Sequence, residues 1–298
     1  MAETSSQASW TPTDTAKKKA TTKRWIAAGL WALAIIAEIV SIFWLLKQRE
    51  FEGGNENTLV RNPDTGLLEE SGAQATFPQW AFITLIVAFI VIGVLSIVGS
   101  LLWKQANKLD PAKKSDTVRF FVQNQLGAII AILAFLPLII MVFLNKDMDK
   151  GQKTLAGIVG IAVAAIATIF GVSFNPPSVE QYTADQSAVI QLLGADEVVW
   201  VEGGSVYHVC DQVPDIQTGS EKITGTTAEA VEAGKNRLTL RFASELQTCG
   251  LAVPENADDI HAALKSIQEG NVDTVLPAPV WGEGEAPIEI PDGDASAE

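Results

Sequence analysis

Residues 25–46 read WIAAGLWALAIIAEIVSIFWLL, an apolar run interrupted by one ionisable side chain, Glu38. A bilayer core is crossed by about 20 apolar residues at about 1.5 Å rise per residue, so this run is long enough to span. Three more runs of the same kind follow, Trp80–Trp103, Phe120–Leu144 and Thr154–Phe174. The basic flank before the first run suits a signal peptide. The run is longer than a usual h-region, however, and no A-x-A-like site follows Leu46, so it reads as a retained span. The expectation is an all-α four-helix membrane domain over 25–174, entered through residues 1–24 and followed by a soluble remainder.

Charge is distributed unevenly around these spans. The 298 residues hold 21 Lys/Arg and 35 Asp/Glu, a net charge of −14. Residues 1–24 contain five basic and two acidic side chains, and residues 104–119 again five and two. The loops 47–79 and 145–153 each contain three basic residues, against six and two acids. The tail from residue 175 has five basic residues and 22 acidic ones. Lys17, Lys18, Lys19, Lys23 and Arg24, with Lys104, Lys108, Lys113, Lys114 and Arg119, place the N-terminal segment and second loop in the cytoplasm by the positive-inside bias. Four crossings return the C-terminus to the same side. The expected location is a bacterial plasma membrane with both termini cytoplasmic. Such an acidic tail is unsuited to nucleic acid. It suits basic protein surfaces instead, and the remaining expected partners are the bilayer and other integral membrane subunits.

Residues 1–24 are Ser/Thr/Lys-rich with one aromatic, Trp10, and are expected to be disordered. Loop one contains Gly53-Gly54 and a turn at Asn62-Pro63-Asp64-Thr65-Gly66, enough for a short hairpin. The tight third loop makes spans three and four an antiparallel pair. Pro137 implies a kink in span three. Small residues recur at spacings of three and four, on Gly93 and Ser96, on Gly127 and Ala131, and on Gly157, Gly160 and Ala164. They form helix faces that allow close approach within the bundle or to a partner's helix.

After Asn175-Pro176-Pro177 the composition becomes that of a small soluble α+β domain over 175–276. Glu180–Leu193 reads as a helix. Segments 197–201 and 205–209 read as a β-hairpin about Gly203-Gly204. Thr226 or Thr227 caps a helix that Gly234 stops. Residues 236–242 alternate like a strand, or a helix runs into Ser244–Thr248. Asn256 or Asp258 starts a last helix that Gly270 ends. Residues 277–298 are Pro-, Gly- and Glu-rich and are expected to be a disordered acidic tail.

Few residues carry specific chemistry. Glu38 lies mid-span, where a carboxylate is costly unless paired or hydrated, and no Lys, Arg or His lies inside another span. It is a proton or cation site, or a carboxyl hydrogen-bonded within the bundle or to another subunit. Cys210 and Cys249 are the only cysteines. Their parity suggests a disulfide, which conflicts with a reducing cytoplasm. His208 and Cys210 share a strand face as metal ligands would, and Cys249 and His261 would complete a set. The spacing matches no compact zinc pattern, so no metal is expected. Neither histidine lies in a span to hold haem, and there is no Walker sequence, G-x-G-x-x-G after a strand or G-x-S-x-G. The expectation is no enzyme and no cofactor.

The stretch KRWIAAGLWALAIIAEIVSIFWLL (23–46) resembles the first span of multi-pass membrane proteins from actinobacteria. SVYHVC (205–210) and GTTAEAVEAGKNRL (225–238) resemble a small actinobacterial module that often carries further cysteines after its helix; TLRFASEL (239–246) has none here. In size and span count the chain is similar to accessory subunits of the actinobacterial cytochrome bcc–aa3 respiratory supercomplex. That layout implies a non-catalytic accessory or scaffold subunit of a respiratory complex. The alternatives are a small transporter or channel component using Glu38, and an envelope or division scaffold recruiting partners through the acidic tail.

Overall fold

The computed structural model describes residues 9–52, 59–61, 65–70, 74–213 and 220–282. The turns expected at Gly53-Gly54 and Asn62-Pro63-Asp64, and the tail from residue 283, lie outside the described residues. The chain is mostly helical, and four helices are long and apolar enough to cross a membrane. They are α1 (Asp14–Phe43), α2 (Gln79–Leu109), α3 (Thr117–Leu144) and α4 (Lys150–Gly171). The chain thus reads as a multi-pass membrane protein. It divides into two compact units, one of residues 24–103 and 125–173, the other of 1–23, 104–124 and 174–298.

The first unit holds the apolar parts of the four helices. Its core contains Ala34, Leu85, Phe89, Ile92, Ala134, Phe135, Leu138 and Val142. Large apolar side chains such as Ile36, Val87, Ile90, Leu133, Ile158 and Ile169 are exposed, the reverse of a water-soluble bundle. Pro137 sits within α3, which continues through it. Asp149 caps α4 through a capping box with Gln152, giving the short α3–α4 turn a firm end. Loop one forms two antiparallel ladders. β1 (Glu50–Glu52) pairs with β4 (Gln74–Thr76), and between them in sequence β2 (Leu59–Arg61) pairs with β3 (Leu68–Glu70). Loop three ties down the base of this loop. The Phe77 N–H donates to the Asp147 carbonyl at 2.8 Å, and Arg49 meets the Asp147 carboxylate at 2.7 Å.

The second unit is built from three separate stretches of chain. In the tail, α5 (Val179–Leu193) starts on Ser178 and stops at left-handed Gly194. Then follow β5 (Val198–Val201), β6 (Lys222–Gly225), α6 (Thr227–Glu232), α7 (Phe242–Thr248) and α8 (Ala257–Gln268). Thr226 caps α6 reciprocally with Glu229. Positive-φ Gly234 and Gly270 follow α6 and α8. The expected hairpin between 197–201 and 205–209 is largely replaced. β5 pairs along its length with β6, and only Val199 and His208 bridge on the other side, through bonds of 2.9 and 2.8 Å. Residues 236–242 form no strand. Leu238 makes one bridge to Tyr207 before the chain turns into α7.

The N-terminal segment also departs from expectation. Residues 9–24 are ordered, and α1 begins at Asp14, well before the span. Trp10 is 2 % exposed within the core of Tyr182, Val189, Tyr207, Leu238 and Phe242, and its N–H donates to Thr183 Oγ1 at 3.0 Å. The Ser/Thr/Lys composition reads as unable to collapse because the surface that buries Trp10 is supplied by the tail. Ala16 and Ala20 likewise pack on Ala106 and Leu109. The second loop is held by Glu180, whose carboxylate accepts from the N–H groups of Lys114 at 2.8 Å and Ser115 at 3.1 Å. Residues 277–282 belong to this unit too. The Val280 N–H donates to the Asn256 side chain, and Leu276 and Trp281 pack on the core.

Candidate functional site

The second unit centres on a buried polar network that no local motif announces. Asp185 on α5 is wholly buried and accepts three hydrogen bonds: from Gln268 Nε2 at 2.9 Å, the Leu238 N–H at 3.0 Å and the Tyr207 hydroxyl at 3.2 Å. Gln268, at the end of α8, also donates to the Leu238 carbonyl and accepts from Arg237 Nη1 at 3.0 Å. One carboxyl thereby joins α5, the Tyr207–Leu238 bridge and α8. Burial pushes Asp185 up to about 6, against the opposing pull of these donors and Arg237. Burial, with Asp185 beside it, raises the Tyr207 phenol well above its ordinary value.

A second buried pair lies beside it in sequence. His208 Nδ1 is 2.7 Å from Glu245 Oε1, and the other oxygen of Glu245 accepts from the Val209 N–H at 3.1 Å. Both side chains are nearly inaccessible. Cys210 and Cys249 are joined in a disulfide with their Cα atoms 6.6 Å apart. The candidate metal set therefore does not assemble. Its two sulfurs are bonded to each other, His208 is engaged with Glu245, and His261 is exposed. Among the described residues no group of three ligating side chains converges. Lys235 is also buried, its ammonium donating to the carbonyls of Val201, Glu202 and Gly204 at 2.6, 3.0 and 2.6 Å. Burial lowers its pKa. This geometry closes the turn about Gly203-Gly204 rather than presenting an amine.

In the membrane unit Glu38 is 4 % exposed. Its carboxyl takes a hydrogen bond from the Leu138 backbone, one residue past Pro137, while Oε1 is buried with no partner. The small residues meet neighbouring helices closely. A Cβ on Gly93 would strike Val163, and one on Gly157 would strike Phe143. One on Gly160 would lie 2.8 Å from Phe89, and one on Gly127 would lie 2.7 Å from Ser100 Oγ. Ala131 is fully buried, and Ala164 packs at the edge of the core. Ser96 is buried with its hydroxyl unpartnered, and its carbonyl accepts from Ser100 Oγ. Gly171, on the same small-residue face of span four, comes against the backbone of Gly127 and Ala128 rather than against a side-chain end.

Comparison with known protein families, with curated proteins and with solved structures finds no match.

Proposed function

We propose that the protein is a non-catalytic accessory subunit of a larger membrane complex, a four-helix membrane bundle carrying a soluble docking domain. The observation that carries this reading is the composition of the soluble unit. The N-terminal segment, the second loop and the tail share one folded body, with Trp10 in its core and Glu180 on the loop backbone. A recruiting tail needs only one flexible tether. A domain assembled from three separate stretches of chain is an integral part of the fold rather than an appended tail. Basic surfaces of neighbouring subunits are its partners, selected by charge complementarity that salt weakens. The resemblance in size and span count names the cytochrome bcc–aa3 supercomplex as the specific assembly.

The orientation we propose is the reverse of the one the Lys/Arg count favours, with the soluble unit on the oxidising side of the plasma membrane. The chain's only two cysteines are bonded to each other, and such bonds are rare in the cytosol. Part of the basic count also has a structural use. Lys19 pairs with Glu232 at 2.8 Å, Lys23 bonds Gln105, and Lys114 donates to the Gly270 carbonyl.

Purification of tagged protein from native membranes in mild detergent, with mass spectrometry of what accompanies it, tests the function. Stoichiometric respiratory subunits support the specific assembly, other membrane subunits support the general reading, and recovery alone removes it. Glu38 favours a second reading, a transport component, because its buried Oε1 has no partner among the described residues. Flux through reconstituted protein that Glu38→Gln abolishes would establish that reading.

A further inference from the structure

One cavity of the second unit gathers three cationic side chains. This cavity, of about 380 Å³, is lined by Lys108, Arg237 and Lys265, with Gln181, Asn175 and a single carboxylate, Glu269. Arg237 and Lys265 are two of only five basic residues in a tail holding 22 acidic ones. Their convergence with a lysine from the second loop opposes the field of the rest of the domain.

The cavity is built rather than incidental. Gln268 is locked by Asp185 and the Leu238 carbonyl, and its oxygen holds one arm of the Arg237 guanidinium at 3.0 Å. The other guanidinium donors remain for the cavity. Gln181 is 8 % exposed, yet among the described residues its side-chain amide has no hydrogen-bond partner. That amide lines the cavity and is open to a ligand there. Lys108 is exposed and has no ion-pair partner among the described residues, and Lys265 reaches Glu269 only at 4.0 Å. A planar guanidinium fork, two ammonium groups and amide donors together recognise a phosphate oxyanion.

We propose that this cavity binds a phosphate group, as the headgroup of an anionic phospholipid or as a soluble phosphate. Its place in the chain suits the lipid source. Lys108 lies five residues after Trp103, and Asn175 directly follows Phe174, at the ends of two apolar runs. Residues just beyond span ends lie at the depth of the headgroup region that flanks the hydrocarbon core.

The test uses full-length protein in a nonionic detergent and in nanodiscs of mixed zwitterionic and anionic phospholipid. Native mass spectrometry should find one anionic phospholipid retained. The double variant Lys108→Gln/Arg237→Gln should lower its occupancy at least about tenfold, while Lys222→Gln, which removes an exposed charge elsewhere, should not. Gln at 237 can still donate to Gln268, and the exposed Lys265→Glu gives an independent check that leaves that bond alone. Delipidated protein is then melted with millimolar inorganic phosphate against sodium chloride of equal ionic strength. Lipid retention without a phosphate effect identifies the headgroup. A phosphate-dependent rise in melting temperature that the variants lose, without lipid retention, identifies a soluble ligand. If wild-type and variant proteins retain lipid equally and melt alike in phosphate and chloride, the proposal is overturned.

Discussion

The ring of Trp10 lies 4.8 Å from that of Tyr182, centroid to centroid, with the planes tilted by 58°. This contact closes the soluble unit, since Tyr182 also donates through its hydroxyl to the Lys108 carbonyl of the second loop. The Trp10 indole N–H is buried without a partner among the described residues, so the side chain contributes apolar area, and the residue's one hydrogen bond comes from its backbone N–H. Trp10→Ala should destabilise the unit by about 3–5 kcal/mol, as large-to-small aromatic changes in a core do. Trp10→Phe should cost much less, because it discards an unpaired donor. Urea unfolding and limited proteolysis of the purified protein check both. Equal losses for Ala and Phe would mean that the indole makes a bond the packing does not show.

Asp185 gives the unit a pH dependence of unusual sign. Its pKa is raised to about 6 in the folded chain, against about 3.9 for an unperturbed Asp. Between these values the folded state binds more protons than the unfolded one, so stability falls as pH rises from about 4 to about 6. At about 1.4 kcal/mol per unit the fall amounts to roughly 2–3 kcal/mol. Glu180 acts oppositely. Burial tends to raise it, but the Lys114 and Ser115 N–H groups hold it below the usual range. Its contribution is present above the unfolded pKa and is lost as pH falls through the lowered folded one. Urea unfolding at pH 4.5 and 7 should show the protein more stable at the lower value, and Asp185→Asn should flatten that difference. A wild-type protein that gains stability from pH 4.5 to 7 would contradict the assignment.

What could be read from sequence divides by how far apart the cooperating residues lie. The span in 25–46 is legible because bilayer length is a local constraint, and Thr226, Gly234 and Gly270 because a helix end is satisfied within one turn. The order of residues 9–24 is not legible, because the partners of Trp10 come from α5 and α8-side core residues far along the chain. The same holds for Asp185, whose three donors come from residues 207, 238 and 268. The hairpin expected from Gly203-Gly204 is overridden because β6 offers Val198–Val201 a full ladder. Cysteine parity points to the Cys210–Cys249 pairing while the Lys/Arg count argues against it, and the bond is present because distant segments bring the two sulfurs together.

The disulfide bears on both stability and orientation. It closes a loop of 39 residues, which is worth about 2–4 kcal/mol by constraining the unfolded chain. Cells quenched with a permeant thiol blocker should yield protein that is fully oxidised on non-reducing gels. An impermeant phosphine followed by an impermeant maleimide should then label the cysteines in intact cells. Reduced cysteines at the moment of quenching would return the soluble unit to the cytoplasm.

Glu38 separates an assembly role from a transport path. Glu38→Gln keeps hydrogen-bonding capacity and should leave assembly nearly intact. Glu38→Leu leaves the Leu138 backbone group that bonds the carboxyl without its side-chain partner and should cost about 1–3 kcal/mol. Blue-native electrophoresis of both variants provides the comparison. Loss of the complex with Gln would show that the charged form itself meets a partner.

Gly171 and Gly29 test whether the close helix approaches hold the bundle together or merely reflect the abundance of glycine in membrane helices. A Cβ on Gly171 would lie 2.6 Å from the Gly127 carbonyl carbon and would also strike the Ala128 backbone, neither of which can rotate away. A Cβ on Gly29 meets nothing within 4 Å. Gly171→Ala must therefore push α4 away from α3, costing about 1–3 kcal/mol as overpacking does. Gly29→Ala should be neutral, or stabilising by up to about 1 kcal/mol through helix propensity alone. Thermal unfolding of the two variants in one detergent, followed by helical circular dichroism, decides the matter. If both melt with the wild-type protein, the α3–α4 contact tolerates separation, and the small-residue faces are better assigned to a partner's helix.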